Sequence, residues 1–507
     1  MPNERMHKFF ASLSDQGLML TYSDVRLRTT YSEVLPPDAN LASRISRNVE
    51  LRVPLISSPM DTVTTASMAI AMAEAGGIGV VHRGLSPEAQ AKEIARVKNH
   101  LNARIEAPIT VQQDETVSDV LTMRERKRYR FHSFPVLDGD GKVVGLVTGS
   151  DFDFCQNLNA PVRSIMTPLA DLTVGQPGMG PREAFDLMNR QKKKVLLLIG
   201  ENARLAGLYA FSDMKRIFAR AEGQQSEFNV DAKGQLRVAA AVGVGEKALE
   251  RAALLSRKHC DVFHIDTAHG DSRGVIETLK TLKAQYPDVD IIAGNVSSGD
   301  SAKRLADAGA DGILVGQGPG SICTTRVIAG IGVPQVSAIY DCVRAIEGSG
   351  VPIVADGGIG NSGDMVIALA VGASTVMLGR LLAGTEEAPG ETRFLNGMQV
   401  KDYRGMGSLG AMRESSASRE RYGQASVLPQ KLVPEGVEGI VPYRGPVRSV
   451  LDQYLGGIRS GMGYIGARTV SELSDRAEIF RITNAGLAES HPHDIAITTE
   501  APNYQRS

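Results

Sequence analysis

The sequence predicts an α/β protein: a (β/α)8 barrel with a parallel sheet, its chain interrupted by a second, duplicated α/β module. Three observations predict it. From Val238 onward short apolar runs alternate with helix-like stretches, an N-terminal segment holds two more units of the same kind, and two mutually similar segments lie between them. At 507 residues the chain is long enough for two or three units with substantial cores.

In the N-terminal part, VPLISSPM and GGIGVVH read as strands flanking the helical SMAIAMAEA. After Val238 the alternation runs VAAAVGV, GEKALERAALLSRK, VFHID, GVIETLKTLKAQY, DIIAGNV, and continues through AKRLADAGADGILVG, VPIVADGGI and SGDMVIALAVGASTVMLG. Apolar runs of strand length separated by helical periodicity are the pattern of repeated βα units. The two parts together approach the eight strands of a barrel, which places barrel segments at residues 1–104 and 226–507. Between them, residues 105–159 and 160–225 each pair a helix (TVSDVLTMRERK, REAFDLMNRQ) with apolar strands (SFPVLD, KVLLLIG). They close on GLVTGSDFDF (145–154) and GLYAFSDMKR (207–216). Internal duplication is the simplest account.

Composition narrows the function. Lys and Arg number 56 against 57 Asp and Glu, so no overall basic excess draws the chain to nucleic acid or anionic lipid. No uninterrupted apolar run reaches bilayer-spanning length and no signal-peptide pattern opens the chain, so a cytoplasmic enzyme is expected. The four cysteines include no CxxC pair, which points away from a zinc site or a disulfide framework. The 53 glycines fit the turns and close backbone approaches of ligand sites.

GQGPGSICTTR (316–326) follows the apolar GILV and so falls just past the C-terminal end of a predicted barrel strand, where barrel enzymes keep their sites. Its glycines allow tight turns that expose backbone groups, Ser321 can meet a phosphate, and Cys323, flanked by hydroxyls, is a candidate nucleophile.

GPGSICTTR with GIGVPQ (330–335) resembles the active-site loop of the IMP dehydrogenase and GMP reductase family. Further matches are SSPMDTVT (57–64), AGGIGVVH (75–82), IDTAHG (265–270), AGNV (293–296), ADGGI (355–359), YRGMGSLGAM (403–412), VPEGVEG (433–439), GGIRSGMGYIG (456–466) and ESHPHD (489–494). The insert resembles a tandem cystathionine-β-synthase-type (CBS) module.

The resemblance implies an NAD-dependent oxidoreductase of guanine nucleotide biosynthesis that converts IMP to XMP. It makes Cys323 the nucleophile, with Thr325, Arg421, Tyr422 and Glu435 handling protons and water. Ser321, Gly358, Gly379 and Tyr403 would hold the phosphate, Asp356 the ribose, and Ser58, Met60, Gly405 and Met406 the purine side. Asp266, Asn295 and Gly316 fall to the cofactor. Carbonyls of Gly318, Gly320 and Cys323, with Glu489, Ser490 and His491 of a neighbouring subunit, would bind K+, implying a homotetramer, with pairing into octamers through the insert as the further expectation. In the CBS repeats Thr148 and Asp151 match a nucleotide-ribose motif for ATP or GTP; the second repeat keeps Asp213 but has Ala210 for Thr.

Gly84, Asp271, Arg380 and Gly423 depart from the family pattern. Arg380 would either add charge at the phosphate or point elsewhere. No GxGxxG follows a strand in Rossmann context, so NAD would sit at the barrel mouth. GMP reductase is the nearest alternative; Pro59 and the Arg421-Tyr422 flap favour the dehydrogenase. A nucleotide-sensing scaffold with a degraded barrel is the alternative of another class, and the intact Cys323 and Arg421 argue against it.

Overall fold

The computed structural model describes residues 2–101, 104–127, 129, 131–215, 227–499 and 501–504. Eight short runs form a closed parallel barrel: β1 (Leu55–Ser57), β2 (Ile78–Val81), β3 (Ala239–Val242), β4 (Val262–Asp266), β5 (Asp290–Val296), β6 (Gly312–Val315), β7 (Ile353–Asp356) and β8 (Thr375–Leu378). They pair in chain order, and β2 against β3 and β8 against β1 complete the ring. Nearly every strand residue is buried, as expected when a parallel sheet is covered by helices outside and side chains inside.

Alternation sends Ile56, Val80, Ala241, Val262, Ile292, Leu314, Val354 and Met377 into one interior cluster, and Ile45, Val49 and Leu51 close it. The barrel is therefore a packed core whose open end is the rim of strand C-termini.

β2 and β3 are neighbours in space but lie on opposite sides of the insert. Their seam is cross-linked by the buried Gln90, whose Nε2 donates to the carbonyls of Val81 (3.0 Å) and Ala241 (2.9 Å). Arg251 Nη1 donates to the Gln90 Oε1 at 2.8 Å, so each of the amide's ends is engaged. Below it the buried Lys98 pairs with Asp231 at 3.1 Å and Asp261 at 2.5 Å, fixing the segments that leave and re-enter the barrel.

The chain divides into residues Met1–His100 with Glu227–Ser507, and Leu101–Ser226. The second unit contains two four-stranded sheets. One includes Phe134–Leu137 and Val143–Val147 with the helix Val117–Arg126; the other includes Val195–Ile199 and Leu205–Ala210 with Pro181–Arg190. Val143, Leu146, Leu197 and Leu208 join the two halves in one apolar cluster. Thr148 caps the helix Gly149–Asp153, its backbone N–H and hydroxyl both donating to the Asp151 carboxylate at 2.7 and 2.8 Å. The end expected near residue 225 lies outside the described residues. Among the described residues no helix is long and apolar enough to cross a membrane.

Gln90→Leu leaves two strand carbonyls and the Arg251 guanidinium without this partner. The expected result is a loss of about 2 kcal/mol or more, given about 1–3 kcal/mol for a buried group left unpaired, read as a lower urea midpoint.

Candidate functional site

A cleft of about 790 Å³ opens at the C-terminal rim of the barrel. Each residue expected to handle substrate, cofactor or catalysis lines it, as do Gly318 and Gly320. Glu489, Ser490 and His491 are exposed at the C-terminal end of the helix Asn484–Glu489 and are not among the lining residues. Thr148, Asp151 and Asp213 belong to the other unit.

The cysteine loop is built from its glycine hinge. Gly316 ends β6 at φ +148°, and a Cβ there would lie 1.9 Å from the Asp356 carbonyl oxygen, so only glycine lets the β6 and β7 ends approach. Gln335 clips the same pair of ends, its Nε2 donating to the carbonyls of Val315 (2.8 Å) and Asp356 (3.1 Å). On the far side, Thr324 N–H donates to the Glu435 carbonyl and Val437 N–H to the Ile322 carbonyl, each at 3.0 Å. Held on both flanks, Cys323 places its Sγ 3.1 Å from the Thr325 hydroxyl.

Asp356 is oriented by Asn295, whose Nδ2 donates to the carboxylate at 2.7 Å and to the Gly316 carbonyl at 2.9 Å. Burial pushes the Asp356 carboxyl up to about 6, and the Asn295 hydrogen bond opposes that rise. The Asn295 Oδ1 is buried without a partner among the described residues. Tyr403 is buried and bonded to the Ser321 hydroxyl; burial pushes its phenol up to about 12, so it remains a donor. Met60 Sδ lies 3.8 Å from the Tyr403 hydroxyl, so the loop after β1 meets the strand carrying Tyr403. Arg380 is exposed on the rim and lines the cleft beside this group.

Arg421 and Tyr422 end the helix Ser416–Arg421 and its cap. The base of this flap is anchored by Arg404, which donates to Asp61 from Nε (3.1 Å) and Nη2 (2.7 Å) and also pairs with Glu414 at 2.7 Å. Its tip is docked: Arg421 forms an ion pair with Asp266, and its carbonyl accepts from Ala268 N–H at 3.2 Å. Burial lowers the Arg421 guanidinium below its ordinary value, the adjacent Tyr422 opposes this and Arg83 adds to it. Gly423 has φ +68°, so glycine supports the turn where the chain leaves the docked helix.

Sequence reasoning missed three residues here. Arg83, 5 % exposed, places Nε 3.7 Å from Asp266 and Nη1 3.5 Å from Glu420. Glu420 also pairs with Lys247 at 2.9 Å. His264 lines the cleft beneath Asp266. Arg83 follows the AGGIGVVH motif by one residue and Glu420 precedes Arg421, so adjacency was the available signal. Asp271 is engaged by Arg304 (2.8 Å) and by the Ser301 hydroxyl (2.8 Å).

The family model described as "IMP dehydrogenase / GMP reductase domain" matches residues 19–493. An inosine-5'-monophosphate dehydrogenase of Aquifex aeolicus is 46% identical over 96% of this chain and 97% of its own length. One from Mycobacterium bovis is 47% identical over 96% and 92%, and one from Escherichia coli K12 44% identical over 96% and 98%. Among solved structures, a Trypanosoma brucei GMP reductase in complex with guanosine 5'-monophosphate superposes with a TM-score of 0.84 at 38% identity, covering 94% of this chain and 98% of that one.

Two predictions follow from the geometry. Gly316→Ala forces the β6 and β7 ends apart, and an active-site displacement of about 1 Å typically costs on the order of 100-fold; kcat/KM is expected to fall by that factor while circular dichroism is retained. For Asp356, the folded pKa lies above the usual 3.8 of the free side chain. The native state therefore binds more protons between these values, and the empty protein loses stability as pH rises through about 6. Asp356→Asn is expected to hold or raise Tm at pH 8 yet weaken ribose binding. In the parent, KM for the nucleotide should rise as pH falls through about 6, where the acceptor is protonated.

Proposed function

The chain belongs to the IMP dehydrogenase / GMP reductase family and is an NAD-dependent oxidoreductase, and from that premise we propose that it oxidises IMP to XMP through a covalent intermediate on Cys323. The observation that carries this reading is a single cleft holding Cys323, its Thr325 partner and a docked Arg421-Tyr422 pair.

Ser321, Gly358, Gly379 and the Tyr403 hydroxyl hold the phosphate, with Arg380 adding charge at the rim. Asp356 accepts from the ribose hydroxyls, and Ser58, Met60, Gly405 and Met406 set the purine over Cys323. Asp266, Asn295 and Gly316 fit the nicotinamide-ribose side: Asp266 supplies an acceptor there and Asn295 Oδ1 is buried without another partner. When bound, NAD supplies the acceptor for the C2 hydride.

The Cys323 thiolate adds to C2, the C2–H bond leaves as hydride, and a thioimidate remains on Cys323. Water then adds at C2 and the C–S bond breaks to release XMP. An ordinary guanidinium, with a pKa above about 12, is a poor base. Arg421 is displaced downward by burial and by Arg83, the direction this task requires. Tyr422, Thr325 and Glu435 complete the proton route. Asp266 serves the two halves in turn, first the cofactor ribose, then Arg421.

Carbonyl oxygens of Gly318, Gly320 and Cys323 suit a monovalent cation such as K+; in a homotetramer or an octamer the exposed Glu489, Ser490 and His491 would complete such a site in a neighbouring subunit. The inserted unit reads as a CBS pair binding ATP or GTP through Thr148 and Asp151, and through Asp213 in the second half. A cytoplasmic setting with IMP and NAD as partners fits all of this.

The likeness to the reductase structure favours one second reading, reduction of GMP with NADPH. Near-ultraviolet absorbance decides. NADH formation from IMP, NAD and K+, abolished in Cys323→Ala, is the expected result; NADPH consumption with GMP alone would reverse the assignment, and silence in both would leave a nucleotide-sensing scaffold. For the insert, Asp151→Ala is expected to weaken ATP or GTP binding by calorimetry at least about tenfold, the 1.4 kcal/mol scale of a charge-assisted hydrogen bond, without altering the Cys323 reaction in the absence of these nucleotides.

A further inference from the structure

His264 lies on β4 two residues before Asp266, and alternation turns its ring into the barrel. Val262 on the same face is interior, as are the lateral register partners Ala241 and Ile292. The residue is 1 % exposed, lines the cleft, and has no hydrogen-bond partner on either ring nitrogen among the described residues. A neutral imidazole carries one donor and one acceptor, and a buried polar group left unpaired costs about 1–3 kcal/mol. Packing alone gives no reason for histidine in an interior otherwise filled by Val, Ile, Leu, Ala and Met.

The ring is neutral: burial pushes the imidazole down to about 3, and Arg421 and Arg83 reinforce the shift. Charged groups around the cleft floor are these two arginines with Asp266 and Glu420. A second orphan belongs to the same group. Arg421 Nε is buried without a partner among the described residues, although the guanidinium is paired with Asp266 through Nη1. A donor lacking an acceptor and a ring nitrogen lacking a donor thus line one cleft, with Arg421 close enough to His264 to act on its charge.

We infer that His264 is a positioning residue for Arg421: a ring nitrogen accepts, through one bridging water, from Arg421 Nε, and with Asp266 on the other edge fixes the guanidinium plane when the flap is docked. A bridging water is nearly as favourable as a direct bond and satisfies Arg421 Nε and the accepting ring nitrogen together. The role rests on the reading of Arg421 as the group that activates water. It serves only the flap-docked half of the reaction, because hydride transfer needs Asp266 released.

The test compares the parent protein with His264→Leu and His264→Gln by rapid mixing with IMP and NAD. For His264→Leu the NADH burst is expected within about twofold of the parent, while steady-state turnover falls about tenfold, the effect of one lost hydrogen bond; His264→Gln recovers part of it. Burst and turnover falling together would assign His264 a merely structural role, and no change in either would also overturn the inference. A second readout needs no reaction: iodoacetamide labelling of Cys323, followed by peptide mass mapping without substrates. Looser docking in His264→Leu predicts several-fold faster labelling, and an unchanged rate overturns the inference. Should the parent make no NADH, the reading of Arg421 fails, and labelling alone still decides whether His264 holds it.

Discussion

Closure of the barrel at the β2–β3 seam is the constraint on which the rest depends. The register there covers only Ala239 with Val80 and Ala240 with Val81, and these strands are separated in the chain by the whole insert. Loop-closure entropy grows only logarithmically with length, so a long insertion is tolerated if the seam has its own fastening. Gln90 supplies it from the helix Pro87–Lys98, and Lys98 with Asp231 and Asp261 ties down the two crossings. Without closure the eight strand ends would not share a rim, and Cys323, Asp356, Asp266 and Ser58, each from a different strand end, would not face one volume.

At that rim the controlling fact is charge balance around Asp266. The docked flap brings Arg421 and Glu420 together, one of each sign, to a site already holding Arg83 and Asp266. Arg83, Arg421, Asp266 and Glu420 thus form a group balanced in charge. This matters because a buried charge that loses its only partner costs several kcal/mol. Here each carboxylate has two cationic partners: Asp266 has Arg83 and Arg421, and Glu420 has Arg83 and Lys247.

Much of this was legible in the sequence because it is written in contiguous stretches. Strands such as DIIAGNV and GILV announce themselves as apolar runs, and the cysteine loop places its glycines, serine and nucleophile within eleven residues, GQGPGSICTTR. Residues acting between distant elements were not legible. Gln90 looks like an ordinary polar residue on an amphipathic helix, and only closure brings Val81 and Ala241 to its two donors. Asn295 was read as a cofactor residue; folding also engages its amide with Asp356, since β5 and β7 ends converge on Gly316. Asp271 gave no hint of Arg304, one helix away.

His264 illustrates the same limit from the other side. In the string VFHID it interrupts an otherwise apolar run, and a lone histidine in a strand is most simply read as core. Its position becomes informative only when the strand's pleat is known, because a shift of one residue would send it outward among the covering helices. Facing inward, it sits among Ala, Val and Ile side chains that offer no hydrogen bonds, directly below the one carboxylate the flap arginine uses. An inward polar residue at the floor of the cleft extends the site by one layer into the barrel. A second flap-docking surface can then lie in the floor of the barrel, while the first is Asp266 at its rim, and the arginine between them is constrained from two edges by residues of a single strand.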